Sequence, residues 1–226
     1  MKIIFKKNIK HFTCVILMSA LSACNTVQNS ADPNTPQTKT SRINTQLGMA
    51  YLQNNDMQRA KQKFLLALDQ APNSPEAWYS MAYFQEVTGN SAKANEAYLK
   101  AIQLAPTSGD VQNNYGTFLC RHNQYQNGIK HFLLAINDTR YLHTAGAYEN
   151  AGLCALKIPD LHSAENYFNH AINQDPNMST SLLELAKLNY HFGHYKEAKY
   201  QLEQFLLLSP ANAQSNTLKM QLDNRA

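Results

Sequence analysis

The sequence contains no apolar run long enough to cross a bilayer. Its longest such stretch, Phe12 to Ala23, has twelve residues, whereas a spanning helix needs about twenty. Glycine and proline are scarce, eight of each in 226 residues, and much of what is present recurs at a fixed spacing. Three patterns that announce chemistry are missing: a glycine loop that cradles phosphate, a strained serine elbow and a His-Glu-x-x-His pair. No catalytic residue, metal ligand or cofactor is therefore assigned, and the chain is expected not to be an enzyme. His191 and His194 stand three apart but straddle the turn at Gly193 without a third ligand nearby, so they read as packing or surface histidines. An apolar fraction of 44% excludes a chain disordered throughout.

The short apolar run has an informative context. Lys2, Lys6, Lys7 and Lys10 precede it and small residues close it, the pattern of a secretory leader. Its last residues, Leu21-Ser22-Ala23-Cys24, resemble the bacterial lipobox. That resemblance implies removal of residues 1–23 and a diacylglycerol on the Cys24 sulfur; the competing reading is a plain leader that ends beside a chance cysteine. Acyl chains contribute about 0.8 kcal/mol per buried methylene, enough in combination to hold a protein at a membrane. Asn25 is not the aspartate that, in enterobacteria, retains lipoproteins at the inner membrane, which favours the periplasmic face of the outer membrane.

Loss of the leader also changes the charge balance. The whole chain has 20 Lys+Arg against 16 Asp+Glu, and the leader holds four lysines and no acid. The mature chain is left with 16 of each, and the electrostatic case for a nucleic-acid partner disappears. Residues 24–40 are polar, contain Pro33 and Pro36, and are expected to be a lipidated cysteine followed by a flexible tether. As a random coil the sixteen residues 25–40 would reach roughly 20 to 25 Å.

Beyond the tether the chain repeats. Pro72, Pro106, Pro176 and Pro210 align, and so do Ala60, Ala94, Gly128, Ala164 and Ala198, at spacings of 34, 34, 36 and 34. A period of 34 with helical periodicity inside it resembles the tetratricopeptide repeat, which implies an all-α, right-handed superhelix of antiparallel helix pairs. Five repeats are expected, at 41–74, 75–108, 109–144, 145–178 and 179–212, with a capping helix at 213–226 that covers the last apolar face.

The side chains at equivalent positions have physical reasons. Position eight carries Gly48, Ala82, Gly116, Gly152 and Ala186, and position twenty carries the Ala/Gly set above. Helices that cross at close range leave no room there for branched residues. Phe64, Tyr98, Phe132, Phe168 and Leu202 fill position twenty-four, and Ala67, Ala101, Ala135 and Ala171 fill position twenty-seven. Position fifteen has Asn55, Gly89, Asn123 and Gly193, residues that accept the left-handed backbone at a helix end. There are departures: two extra residues in the third repeat, Arg140 in place of proline, Pro159 in place of the turn residue, and Phe205 at position twenty-seven of the fifth.

In this fold the first helices line a concave groove. Positions five, six, nine and twelve of those helices include Met49, Tyr79, Tyr83, Asn113, Asn114, Thr117, Asn150, Leu153, Lys187 and Tyr190. Tyrosine supplies contact area at low entropy cost. Asn114 and Asn150 hold position six of successive repeats, and paired carboxamides could grip an extended backbone. Lys187 alone does not make the cationic clamp that a C-terminal carboxylate needs.

Cys14 is in the leader and Cys24 in the lipobox, which leaves Cys120 and Cys154 on first helices of adjacent repeats. An oxidising compartment permits a disulfide between neighbouring helices, and two buried thiols are the alternative. The segments NNYGTFLC (113–120) and ENAGLCALKIPDLHSAENYF (149–168) resemble the type IV pilus biogenesis and stability lipoproteins of the PilF/PilW type, the pilotins. The resemblance extends to the lipobox, the short tether and a cysteine in each of the third and fourth repeats, and it strengthens the pairing of Cys120 with Cys154. It implies as partners the pilus secretin subunits, which such proteins bring to the outer membrane and help to multimerise, and the lipoprotein sorting machinery. Some members act mainly to stabilise pili, and an envelope scaffold that organises outer-membrane or cell-wall complexes would share everything except the two cysteine segments.

Overall fold

The computed structural model describes residues 35–225, which form eleven helices; the leader, the lipobox and Cys24 lie outside the described residues. Five antiparallel pairs follow in order: α1 (Pro36–Gln53) with α2 (Met57–Gln70), α3 (Pro75–Val87) with α4 (Ser91–Leu104), α5 (Gly109–Arg121) with α6 (Tyr125–Ile136), α7 (Thr144–Ala155) with α8 (Leu161–Gln174), and α9 (Ser179–His191) with α10 (Tyr195–Leu208). A single helix, α11 (Ala213–Asp223), closes the array. Its Asn212 and Ser215 form a reciprocal capping box. Among the described residues no helix is long and apolar enough to cross a membrane.

Glycine costs a helix interior about 1 kcal/mol relative to alanine, so the glycines at position eight need a reason, and the facing ring supplies it. A Cβ on Gly48 would lie 2.7 Å from the Phe64 ring, one on Gly116 2.9 Å from Phe132, and one on Gly152 2.6 Å from Phe168. Where the facing residue is Tyr98 or Leu202, alanine takes the position instead. Each ring then packs onto position ten of the next repeat. Phe64 meets Phe84 with centroids 5.8 Å apart, and Tyr98 meets Phe118 at 5.1 Å. Further bonds set the register: Trp78 Nε1 donates to the Pro72 carbonyl (2.7 Å) and Gln112 Nε2 to the Pro106 carbonyl (2.5 Å).

Cys154 occupies position ten of the fourth repeat, where Phe84 and Phe118 stand in theirs. The structure joins it to Cys120 in a disulfide with Cα atoms 5.8 Å apart. Gly128 makes room for the bridge, because a Cβ there would overlap the Cys120 sulfur. This junction also contains the two extra residues. They let the chain between α6 and α7 fold back, burying Tyr141 over Gly109, while the Asp138 carboxylate accepts the Gly109 N–H at 3.0 Å.

Contacts between pairs are of two kinds: each second helix packs on the first helix that follows it, most extensively α6 on α7, and first helices also meet one another. Each first helix touches the next first helix, α1 to α3, α3 to α5, α5 to α7 and α7 to α9. Among the described residues, no second helix touches another second helix. The first helices therefore form a crowded inner layer and the second helices a splayed outer one.

Two boundaries differ from the sequence-based expectation. The predicted tether ends five residues early, because α1 begins at Pro36. Thr35 caps it by accepting the Thr38 N–H (3.2 Å), proline at the first helical position is already set for helix, and Ser41 is buried with its hydroxyl on the Ala67 carbonyl (2.8 Å). In the fourth repeat α7 stops at Ala155. The turns at position fifteen are left-handed at Asn55 (φ 59°), Gly89 (80°), Asn123 (62°) and Gly193 (81°). Pro159 cannot adopt a positive φ, so the chain leaves the helix sooner and crosses in a longer loop.

Candidate partner-binding site

The inner layer carries a chain of clefts. The first, about 540 Å³, lies across α1, α3 and α5 and includes Met49, Tyr79, Tyr83, Asn114 and Thr117. A second, about 530 Å³, holds Thr117, Asn150 and Leu153 beside the Cys120–Cys154 bridge. Thr117 and Arg121 belong to both, so the two clefts form one continuous groove. Lys187 and Tyr190 line a third, about 480 Å³, whose far wall is α11. Asn113 lies on the ridge between α5 and α7 rather than in a cleft, where its Oδ1 accepts from Asn150 Nδ2 at 3.0 Å.

That bond engages one of the two position-six asparagines expected to grip a partner backbone. Asn114 donates to the Asp110 carbonyl of its own helix at 2.8 Å. At the irregular junction, position six of α7 faces position five of α5, so Asn150 meets Asn113. Lys187 is also engaged, with Glu184 at 2.5 Å and Gln214 at 3.1 Å. It has little freedom to seize a carboxylate.

The first cleft is rich in aromatic and uncharged polar groups. Tyr79, Tyr83 and Tyr98 line it together with Gln46, Gln53 and Ser80. Burial, reinforced by the negative field of Glu76, pushes the Tyr79 hydroxyl far above its ordinary value, and burial followed by Glu86 does the same for Tyr98. Both remain neutral hydrogen-bonding groups at any physiological pH. Glu76 itself is raised, by burial first and by Asp110 as well, against the lowering effect of Arg42. The Arg121 guanidinium lies 5.9 Å from the Tyr83 ring centroid and 3.6 Å from the Glu86 carboxylate. The Glu86 side chain is only 10% exposed, and one of its oxygens has no hydrogen-bond partner. The guanidinium is thus held at the groove wall by charge on one side and a ring on the other.

Sequence reasoning missed Glu76, Gln53 and Arg121, at positions two and thirteen. The helical period that relates positions five, six, nine and twelve continues to these, one turn beyond either end, so the signal was present. Tyr98 was read purely as filler at position twenty-four. Its ring does fill that space, and its edge reaches the cleft between α3 and α5. Among the described residues no cluster of three His, Cys, Asp or Glu side chains could hold a metal ion. The arrangement suits the capture of a polypeptide segment.

Comparison with known proteins gives this groove a setting. The Tetratricopeptide repeat family matches residues 45–109 and again residues 145–178. The type IV pilus assembly protein PilF of Pseudomonas aeruginosa is 30% identical over 177 residues, which cover 78% of this chain and 70% of PilF. The solved structure of Pseudomonas aeruginosa PilF superposes with a TM-score of 0.80 at 28% identity, covering 84% of this chain and 86% of that one. PilW, a widely conserved type IV pilus biogenesis factor, superposes with a TM-score of 0.72 at 27% identity, covering 81% and 84%.

Proposed function

This chain belongs to the family of tetratricopeptide-repeat type IV pilus biogenesis proteins that includes PilF and PilW, and on that premise we propose that it is a pilotin for the pilus secretin. Acyl chains on Cys24 carry it through lipoprotein sorting to the periplasmic face of the outer membrane. Its groove holds a segment of a secretin subunit during transit and shields strand-forming surface that would otherwise pair with other chains. At the outer membrane the subunits are concentrated and close into a ring.

The continuous groove over α1, α3, α5 and α7 carries this reading. It offers three tyrosine rings, a held guanidinium and several uncharged amides, the mixture that grips a polypeptide by backbone and side chains together. Position, rather than chemistry, is what such a protein supplies. The test is the state of the pilus secretin in cells lacking this protein, examined on gels of outer-membrane fractions that preserve multimers. The expected result is loss of the high-mass multimer with monomer left behind. An unchanged multimer overturns the pilotin role. A Tyr79→Ala/Tyr83→Ala variant should reproduce the deletion; both rings also pack on buried neighbours, so its fold is checked by circular dichroism, and a folded variant that still supports full multimer assembly counts against the groove.

A further inference from the structure

The face opposite the groove has its own pattern, and nothing in the proposed role of the groove accounts for it. Position twenty-five of the second helices is Leu65 on α2, Leu99 on α4 and Leu133 on α6, and these side chains are 52%, 47% and 38% exposed. Leu66 and Leu134 add to the row at position twenty-six. The row then stops: Asn169 stands at position twenty-five of α8 and Glu203 at that of α10. Charge changes at the same boundary. The helices α2, α4 and α6 carry six lysine and arginine side chains against Asp69 and Glu96 alone, whereas α8 has one acid and no lysine or arginine, and α10 has two of each sign. Exposed leucines return on α10 as Leu206, Leu207 and Leu208, but without an excess of positive charge, so the two features coincide only on the outer side of the first three repeats.

We infer that this outer face of the first three repeats rests on an anionic bilayer surface. Leucines flanked by basic side chains are the composition that lies in the interface between headgroups and acyl chains. Negative lipids attract each nearby lysine or arginine strongly enough to raise binding about fivefold. The splayed outer layer is the side that bulges, and a bulging surface meets a plane along a short arc, which agrees with a patch confined to three repeats. Chain length adds a further constraint, which rests on the reading that Cys24 is lipidated. Ten residues, 25–34, lie between Cys24 and the cap at Thr35. Fully extended, they span at most about 40 Å, so the anchor keeps the first repeats, and not the last, beside the bilayer. In this pose the groove on the inner layer faces away from the membrane, open to a partner.

The test uses the mature chain from residue 24 with Cys24→Ser, so that no acyl chain contributes. It is floated with vesicles of phosphatidylethanolamine and phosphatidylglycerol, and with vesicles of phosphatidylcholine alone. Flotation with the anionic vesicles only is expected. It should be lost in about 1 M salt, where the screening length falls to about 3 Å. A Lys61→Gln/Lys130→Gln variant should bind at least tenfold more weakly, and so should a Leu99→Gln/Leu133→Gln variant, both with unchanged circular dichroism. Failure of the parent chain to float overturns the inference and leaves the face to a protein partner; so does binding that both variants retain. Lipid attachment is measured separately by palmitate labelling of the full chain. A full chain that takes no label while the unlipidated chain still floats would defeat the anchor alone.

Discussion

Removal of the Cys120–Cys154 bridge is the perturbation whose size follows most directly from the structure. The cysteines are 34 residues apart, and closing a loop of that length in the unfolded chain is worth about 4 kcal/mol in the entropic description. Two features argue that the folded state needs this contribution. Cys154 stands where other repeats place a phenylalanine against the preceding ring, so its loss removes the substitute for an aromatic contact. Gly128 also yields the space of a Cβ to the Cys120 sulfur, a space that loss of the sulfur leaves empty. A Cys120→Ala/Cys154→Ala variant should therefore lose about 4 kcal/mol, and at 2–4 °C per kcal/mol for a domain of this size its midpoint should fall by about 8 to 16 °C. The assay is thermal unfolding followed by circular dichroism, with and without excess dithiothreitol. Reductant should lower the parent to the level of the variant and leave the variant unmoved. The reasoning fails if thiol titration shows both sulfurs free while the midpoint stays where it was.

Other predictions concern packing, backbone and protonation. Gly152→Val would drive a branched side chain into the Phe168 ring and should cost about 1–3 kcal/mol, read from the urea midpoint. Asn55→Ala should cost about 1–2 kcal/mol because an exposed residue is held at φ 59°, and Asn55→Gly should be tolerated. Burial, and secondarily Lys130, holds the His131 imidazole below its ordinary pKa, with Nδ1 2.5 Å from Gln112 Oε1. The folded chain therefore takes up this proton less readily than the unfolded one. Its contribution is complete above the unfolded pKa of 6.5 and is lost as the pH falls from there toward the folded value. His131→Gln should flatten that part of the stability profile, which denaturant titrations at a series of pH values would measure.

Most of the array could be read from the chain because its rules are local. Small residues at positions eight and twenty, rings at twenty-four and Asn or Gly at fifteen each satisfy a steric demand that recurs every 34 residues. What escaped depended on partners that spacing does not display. The start of α1 at Pro36 is secured by Ser41 reaching the Ala67 carbonyl, 26 residues on. Gly128 resembled its equivalents at position twenty, yet it is glycine because a disulfide sulfur occupies the space of a Cβ. The edges of the groove are a different case: Glu76 and Arg121 continue the helical period of its central positions, so spacing alone could have found them. The meeting of Asn150 with Asn113 depends on how α7 is set against α5 at the two-residue insertion, an angle that no residue type encodes.

Contacts that run only to the adjacent pair have a consequence for how the molecule comes apart. No residue of the first repeat steadies the fifth, so the array behaves as a row of dominoes rather than a single closed core. Stability is a sum of pair and junction terms, and opening begins where a junction is missing, at the two ends. Amide exchange should therefore grade along the row, fastest in α1 and α11 and slowest in α5 to α8, where a covalent tie makes two dominoes fall as one.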